Sequence, residues 1–116
     1  MQPSILIVED DRITRESLAK ALSSDYIIHT ANNGVEALSL LGKETIDAII
    51  TDVKMPLKDG MKILETVKRA SPDIIIIMVT GYATVESAVE AMKKGAYDYI
   101  TKPVNIDRLH KLIEND

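Results

Sequence analysis

The stretch Ile5-Leu6-Ile7-Val8-Glu9-Asp10-Asp11 decides how the rest of the chain is read. Unbroken aliphatic residues suit a short strand covered on both faces, the habit of parallel sheets. The change to carboxylates is abrupt. Open α/β sheets gather their sites just beyond the carboxyl ends of the strands, where these acids stand. A second unbroken apolar run, Ile74-Ile75-Ile76-Ile77-Met78-Val79, ends in Thr80. Working outward, the strands expected are residues 4–8, 26–31, 48–51, 74–79 and 97–100.

Between them the period becomes helical. Val85, Ala88, Val89 and Met92 follow i, i+3, i+4, i+7 and give the clearest stripe. Ile63, Leu64 and Val67 give another, and Val35, Leu38 and Leu41 a third. Ile13, Ser17, Leu18 and Ala21 give a weaker one, and Ile106, Leu109, Leu112 and Ile113 a last. Punctuation agrees. Asn32-Asn33-Gly34 reads as a loop, Gly42 as a helix C-cap, and Thr84 as an N-cap. Lys93-Lys94-Gly95 places cations and a glycine at a helix end, where dipole and backbone favour them.

A strand-helix pair repeated five times folds as a parallel sheet with right-handed crossovers and helices on both faces. The expected architecture is a doubly wound, flavodoxin-like (βα)5 fold with strand order 2-1-3-4-5. At 116 residues with no internal linker or repeat, the chain reads as one domain over 1–116.

Composition narrows the chemistry. With no Cys, disulfide scaffolds, thiolate metal sites and cysteine nucleophiles are excluded. With no Trp or Phe, the core must be aliphatic. No apolar run approaches the roughly 20 residues of a membrane span. The N-terminus lacks a basic signal-peptide region, so a cytoplasmic location is expected. The net charge of −4 and the lack of a basic stripe argue against nucleic-acid binding by this chain.

The expected strand order makes the first and third strands neighbours. Glu9 and Asp10 would then share one crevice with Asp52, which follows the third strand. Thr80 and the Lys102-Pro103 pair stand at the ends of the fourth and fifth strands. Clustered carboxylates repel unless a cation or proton intervenes. An all-oxygen set favours a hard ion, Mg²⁺ over Zn²⁺. A metal, an ammonium and a hydroxyl around one carboxylate suit a phosphoryl group, with the carboxylate as nucleophile. Each residue also has a plainer reading. The acids favour a helix N-terminus, the role assigned to Asp11. Asp52 suits a turn, Thr80 a strand end, Lys102 a surface and Tyr99 ordinary packing. His29 and His110 pair with no nucleophile.

The segments Ile5–Asp11, Thr51–Gly60, Val79–Ala83 and Tyr97–Pro103, in this order and spacing, resemble the receiver domain of bacterial two-component response regulators, the CheY-like family. The resemblance covers essentially the whole chain. It implies that Asp52 is the phosphoacceptor. It implies that Glu9, Asp10, Asp52 and the Lys54 backbone carbonyl hold Mg²⁺, with Mn²⁺ as a substitute. It implies that Thr80 and Lys102 contact the phosphoryl group and that Tyr99 is an aromatic switch. Pro56 and Gly60 would shape the loop after the third strand, and the bond before Pro103 would be cis. The expected function is signalling. A histidine kinase or phosphotransfer protein would donate phosphate, and the fourth helix, fifth strand and fifth helix would change their affinity for an output domain or target, with phosphorylation-dependent homodimerisation a further expectation. Catalysis would be limited to the chain's own phosphorylation and dephosphorylation.

The alternative is a phosphorylation-independent pseudo-receiver that keeps only the fold. A phosphatase of the haloacid-dehalogenase type is disfavoured, because Lys54 stands where that chemistry needs a second Asp. Glu9 in place of the commoner Asp, and Gly81 in place of Ala, depart from the usual receiver pattern. The bulk of Lys54 and Tyr82 is expected to slow hydrolysis of the phosphoryl group. The stretch Val79–Pro103 resembles receivers attached to sigma-54-type transcription activators or hybrid kinases.

Overall fold

The computed structural model describes residues 2–53, 60–81 and 84–114. Among them, strands and helices alternate strictly. The order is β1 (Ser4–Val8), α1 (Arg12–Leu22), β2 (Ile27–Ala31), α2 (Gly34–Leu41), β3 (Ala48–Asp52), α3 (Gly60–Ala70), β4 (Ile75–Thr80), α4 (Val85–Lys93), β5 (Asp98–Thr101) and α5 (Ile106–Glu114). The strands form one parallel sheet in the order β2-β1-β3-β4-β5. The doubly wound arrangement read from the sequence is therefore the observed one.

The period of two along each strand divides the core between the two faces. Leu6, Val8, Ile49, Ile76 and Met78 face Ala37, Ile63, Leu64, Val67 and Ala91 from α2, α3 and α4. Ile5, Ile7, Ile50, Ile77 and Val79 face Leu18, Leu22, Leu109 and Ile113 from α1 and α5. Strands that are apolar on both faces require exactly such double cover, and β4 is buried at every residue.

β3, β4 and β5 each end one residue beyond the strands expected, at Asp52, Thr80 and Thr101. Asp52 is the last residue of β3 and pairs with Val79, and Thr80 is the last of β4 and pairs with Thr101. The ladder continues because backbone pairing does not depend on an apolar side chain.

The helix caps follow the sequence. Asn33 caps α2 by accepting from Glu36 N. Thr84 caps α4 in a reciprocal box with Ser87. Gly95, at φ 104°, leaves α4 in the left-handed conformation that glycine permits.

The α4 stripe differs from its expected role. Val85 is 81% exposed, and Val89 and Met92 are also exposed. α4 instead buries Ala91, a side chain small enough for close approach to the sheet. Periodicity located the helix, but its larger apolar residues face outward. Ile13 and Val35 likewise lie on exposed faces of α1 and α2. No helix among the described residues is long and apolar enough to cross a membrane.

Candidate functional site

Because β1 and β3 are adjacent, Glu9, just past β1, and Asp52, at the end of β3, meet at one sheet edge. Glu9, Asp10 and Asp52 offer carboxylate oxygens that all lie within 4.8 Å of one another. Glu9 is buried, Asp52 half-buried and Asp10 exposed. Asp11, the next acid, turns away. Its carboxylate caps α1, accepting from Thr14 N at 2.9 Å and from the Thr14 hydroxyl at 2.6 Å. Those bonds hold its carboxyl below the usual range. The division between site acids and a capping acid is the one expected from the sequence.

Lys102 enters the cluster from just beyond β5. Its Nζ donates to Asp52 Oδ2 at 3.0 Å and also to Glu9 Oε1. The peptide bond between Lys102 and Pro103 is cis, as the resemblance implied. Lys102 N donates to Thr80 O at 2.8 Å, so the β4 and β5 ends are tied beside the cluster.

Burial pushes the Glu9 carboxyl up, the Lys102 hydrogen bond pulls it back, and the Asp52 charge raises it further, leaving it above its ordinary value. Burial alone would lower Lys102. Its hydrogen bonds to Glu9 and Asp52 outweigh that and hold the ammonium above its ordinary value. The result is an ammonium firmly charged amid carboxylates that share too little positive charge. Such a site favours an added cation.

Thr80 is almost wholly buried at the end of β4. Thr51, also buried, donates its hydroxyl to Asp52 O at 3.1 Å. Gly60 opens α3 directly behind Asp52. A Cβ there would lie 2.1 Å from the Asp52 carbonyl oxygen. Gly60 is thus pressed against the Asp52 backbone itself, a closer contact than shaping a loop requires. Lys54, Pro56 and Tyr82 lie outside the described residues.

Tyr99 is half-buried on β5, against the cluster of residues under α2, α3 and α4. Its hydroxyl hydrogen-bonds the Ser87 hydroxyl on α4. The same Ser87 belongs to the α4 capping box, where its N donates to Thr84 Oγ1 at 3.0 Å.

Two groups went unseen in the sequence. Arg15 donates to the Glu9 carbonyl oxygen. Tyr26 gathers His110 and Glu114 from α5, with Asp25 beyond His110. Helical spacing marks Arg15 as one turn from Asp11, the only signal available. Nothing local marks the Tyr26 group.

The donor set fits a hard divalent cation. It is entirely oxygen, it converges, and it contains no imidazole or thiolate.

Comparison with known proteins agrees. Residues 5–114 match the family model described as response regulator receiver domain. The regulatory protein AtoC of Escherichia coli (strain K12) is 38% identical over 111 residues, 95% of this chain and 24% of AtoC. The chain spans between a quarter and a half of the length of such curated relatives. A response regulator receiver domain protein from Clostridium thermocellum has a TM-score of 0.91 at 34% identity, covering 97% of this chain and 92% of that one. A Burkholderia pseudomallei response regulator, solved with a phosphorylated aspartic acid, calcium ion and citrate, has a TM-score of 0.90 at 30% identity. That match covers 97% of this chain and 66% of the other.

Proposed function

Since this chain belongs to the response regulator receiver domain family, we propose that Asp52 is its phosphoacceptor, in a Mg²⁺-dependent transfer from a histidine kinase or phosphotransfer protein. The carrying observation is the convergence of Glu9, Asp10 and Asp52 with Lys102 Nζ at 3.0 Å from Asp52 Oδ2. The phosphorylated aspartic acid of the Burkholderia relative supports it by analogy.

Glu9, Asp10 and Asp52 would hold the ion, with the Lys54 carbonyl as a further ligand implied by the family. When bound, Mg²⁺ supplies positive charge against the phosphoryl oxygens and the carboxylates. An Asp52 carboxylate oxygen forms the new bond to phosphorus as the bond to the donor breaks. With a phosphohistidine donor, the departing imidazole keeps the nitrogen electron pair and takes a proton. Lys102 offsets charge on the transferred group, and Thr80 donates a hydrogen bond to it. Gly60 and Thr51 keep the Asp52 backbone in place. On this reading the chain catalyses only its own phosphorylation and dephosphorylation.

The response is a shift of Thr80 and Tyr99 that alters the α4-β5-α5 face for an output domain or target. The relatives named as regulatory proteins are consistent with an output in transcription. A phosphorylation-independent pseudo-receiver is not favoured by a site whose acids, hydroxyl and ammonium all remain at their strand ends.

Intact mass after incubation with acetyl phosphate tests the proposal. One added phosphoryl group is expected with Mg²⁺, and none with a chelator or in Asp52→Asn. An unmodified wild-type chain, under conditions that modify another receiver, would defeat it.

A further inference from the structure

The loop that carries Glu9 and Asp10 is anchored from both sides. On one side, Glu9 N donates to Ala31 O at 3.1 Å, extending the link to β2. On the other, the Glu9 carbonyl accepts from Arg15 Nη1 at 2.8 Å. Arg15 lies one turn inside α1, and its backbone N donates to Asp11 O at 2.9 Å. Helical side chains lean toward the N-terminus, so its guanidinium reaches back over the loop. Arg12, by contrast, pairs with Glu16 on the exposed face of α1. The Glu9 carboxylate is held by Lys102, whereas Arg15 takes the Glu9 backbone.

We propose that Arg15 is a positioning residue for the metal-binding carboxylates, fixing the peptide between Glu9 and Asp10 and thereby the direction in which Asp10 presents its carboxylate. This rests on the reading that Glu9, Asp10 and Asp52 hold a divalent cation. The peptide is planar, so anchoring its oxygen restrains the two torsions that swing Asp10 relative to Glu9. A hydrogen bond from a charged donor is stronger than one between neutral groups. It opposes the mutual repulsion that otherwise spreads these carboxylates. Groups that orient metal ligands from behind commonly change affinity by about 10–100-fold when removed.

The test is Mg²⁺ binding by titration calorimetry, with melting temperature measured on the same samples. The variants are Arg15→Met, which keeps the stem but no donors, and Arg15→Lys, which keeps a charged donor. Asp10→Asn is the control that removes a ligand. Arg15→Met is expected to weaken Mg²⁺ binding about tenfold, and Arg15→Lys to recover part of the loss. With acetyl phosphate as donor, the Arg15→Met defect should recede as Mg²⁺ approaches saturation. A lowered melting temperature with unchanged Mg²⁺ affinity would show a structural role only and overturn the proposal. So would weak binding that Arg15→Lys, melting as the wild type does, fails to improve. Wild-type chain that binds no Mg²⁺ would remove the reading of the site itself, and this proposal with it. Wild-type binding that is lost in Asp10→Asn but untouched in Arg15→Met would sink this proposal alone.

Discussion

Gly60 and Asp52 are in such close backbone contact that a Cβ on Gly60 would lie 2.1 Å from the Asp52 carbonyl oxygen. The same glycine donates its N–H to Val53 O at 2.9 Å. The start of α3 is therefore pressed against the Asp52 backbone, which cannot yield as the end of a flexible side chain would. Gly60→Ala is expected to cost about 1–3 kcal/mol, read as a lower urea midpoint, and to slow phosphorylation by displacing Asp52. A variant as stable as wild type would show that this contact relaxes freely.

Lys102 spans the site by bonding both Glu9 and Asp52. Removing it leaves buried or half-buried acids without their ammonium. Lys102→Met should lower stability in the absence of divalent ions by about 1–3 kcal/mol. Added Mg²⁺ should raise the melting temperature of this variant by more than it raises that of the wild type, because the ion replaces the missing charge. Equal Mg²⁺ shifts in both chains would argue that Lys102 and the ion do not share the same carboxylates.

Ser87 joins the α4 cap to the hydroxyl of Tyr99. Ser87→Ala should remove the Tyr99 link and the hydroxyl half of the box, keep the Ser87 N–H bond to Thr84 Oγ1, and cost about 0.5–1.5 kcal/mol, with faster amide exchange in the first turn of α4. Tyr99→Phe should leave the Thr84 cap in place and release only the link to β5. Equal exchange in wild type and Ser87→Ala would contradict a latch at this position.

Tyr26 is held well inside the fold, and burial, aided by its hydrogen bond to Glu114 and the charge there, pushes its hydroxyl up to about 12. The ordinary value is 10.0. The folded chain therefore keeps the proton longer than the unfolded chain. The stabilisation is complete below pH 10 and declines as pH rises through about 12. Denaturation midpoints of wild type and Tyr26→Phe should differ by a constant amount below that window and change relative to each other within it. Ultraviolet titration should show one tyrosine ionising late. Parallel midpoints through the window would contradict the assigned environment.

The fold was legible because β1 and β4 are apolar on both faces and end abruptly in polar residues. That pattern fixes a covered parallel sheet, and the strand order then brings Glu9 to Asp52. What the pattern lacks is direction. Val85, Val89 and Met92 have helical spacing, yet α4 meets the sheet through Ala91, because a small residue allows the closer approach. Ladder pairing likewise carries β3 through Asp52 and β4 through Thr80, past the point where the apolar signal stops. Contacts made only by folding were not legible at all. Tyr26 reaches His110 across 84 residues of sequence, and Arg15 finds a backbone oxygen that no side-chain pattern records.

The most direct test of Asp52 as acceptor is to locate the phosphoryl group. Borohydride reduction of the acetyl-phosphate-treated chain converts an acyl phosphate to an alcohol, and peptide mass mapping then finds the altered residue. The expected result is reduction at Asp52 alone, dependent on Mg²⁺. Reduction at Glu9 or Asp10 with Asp52 unaltered, or a phosphoryl group found on His110, would contradict it.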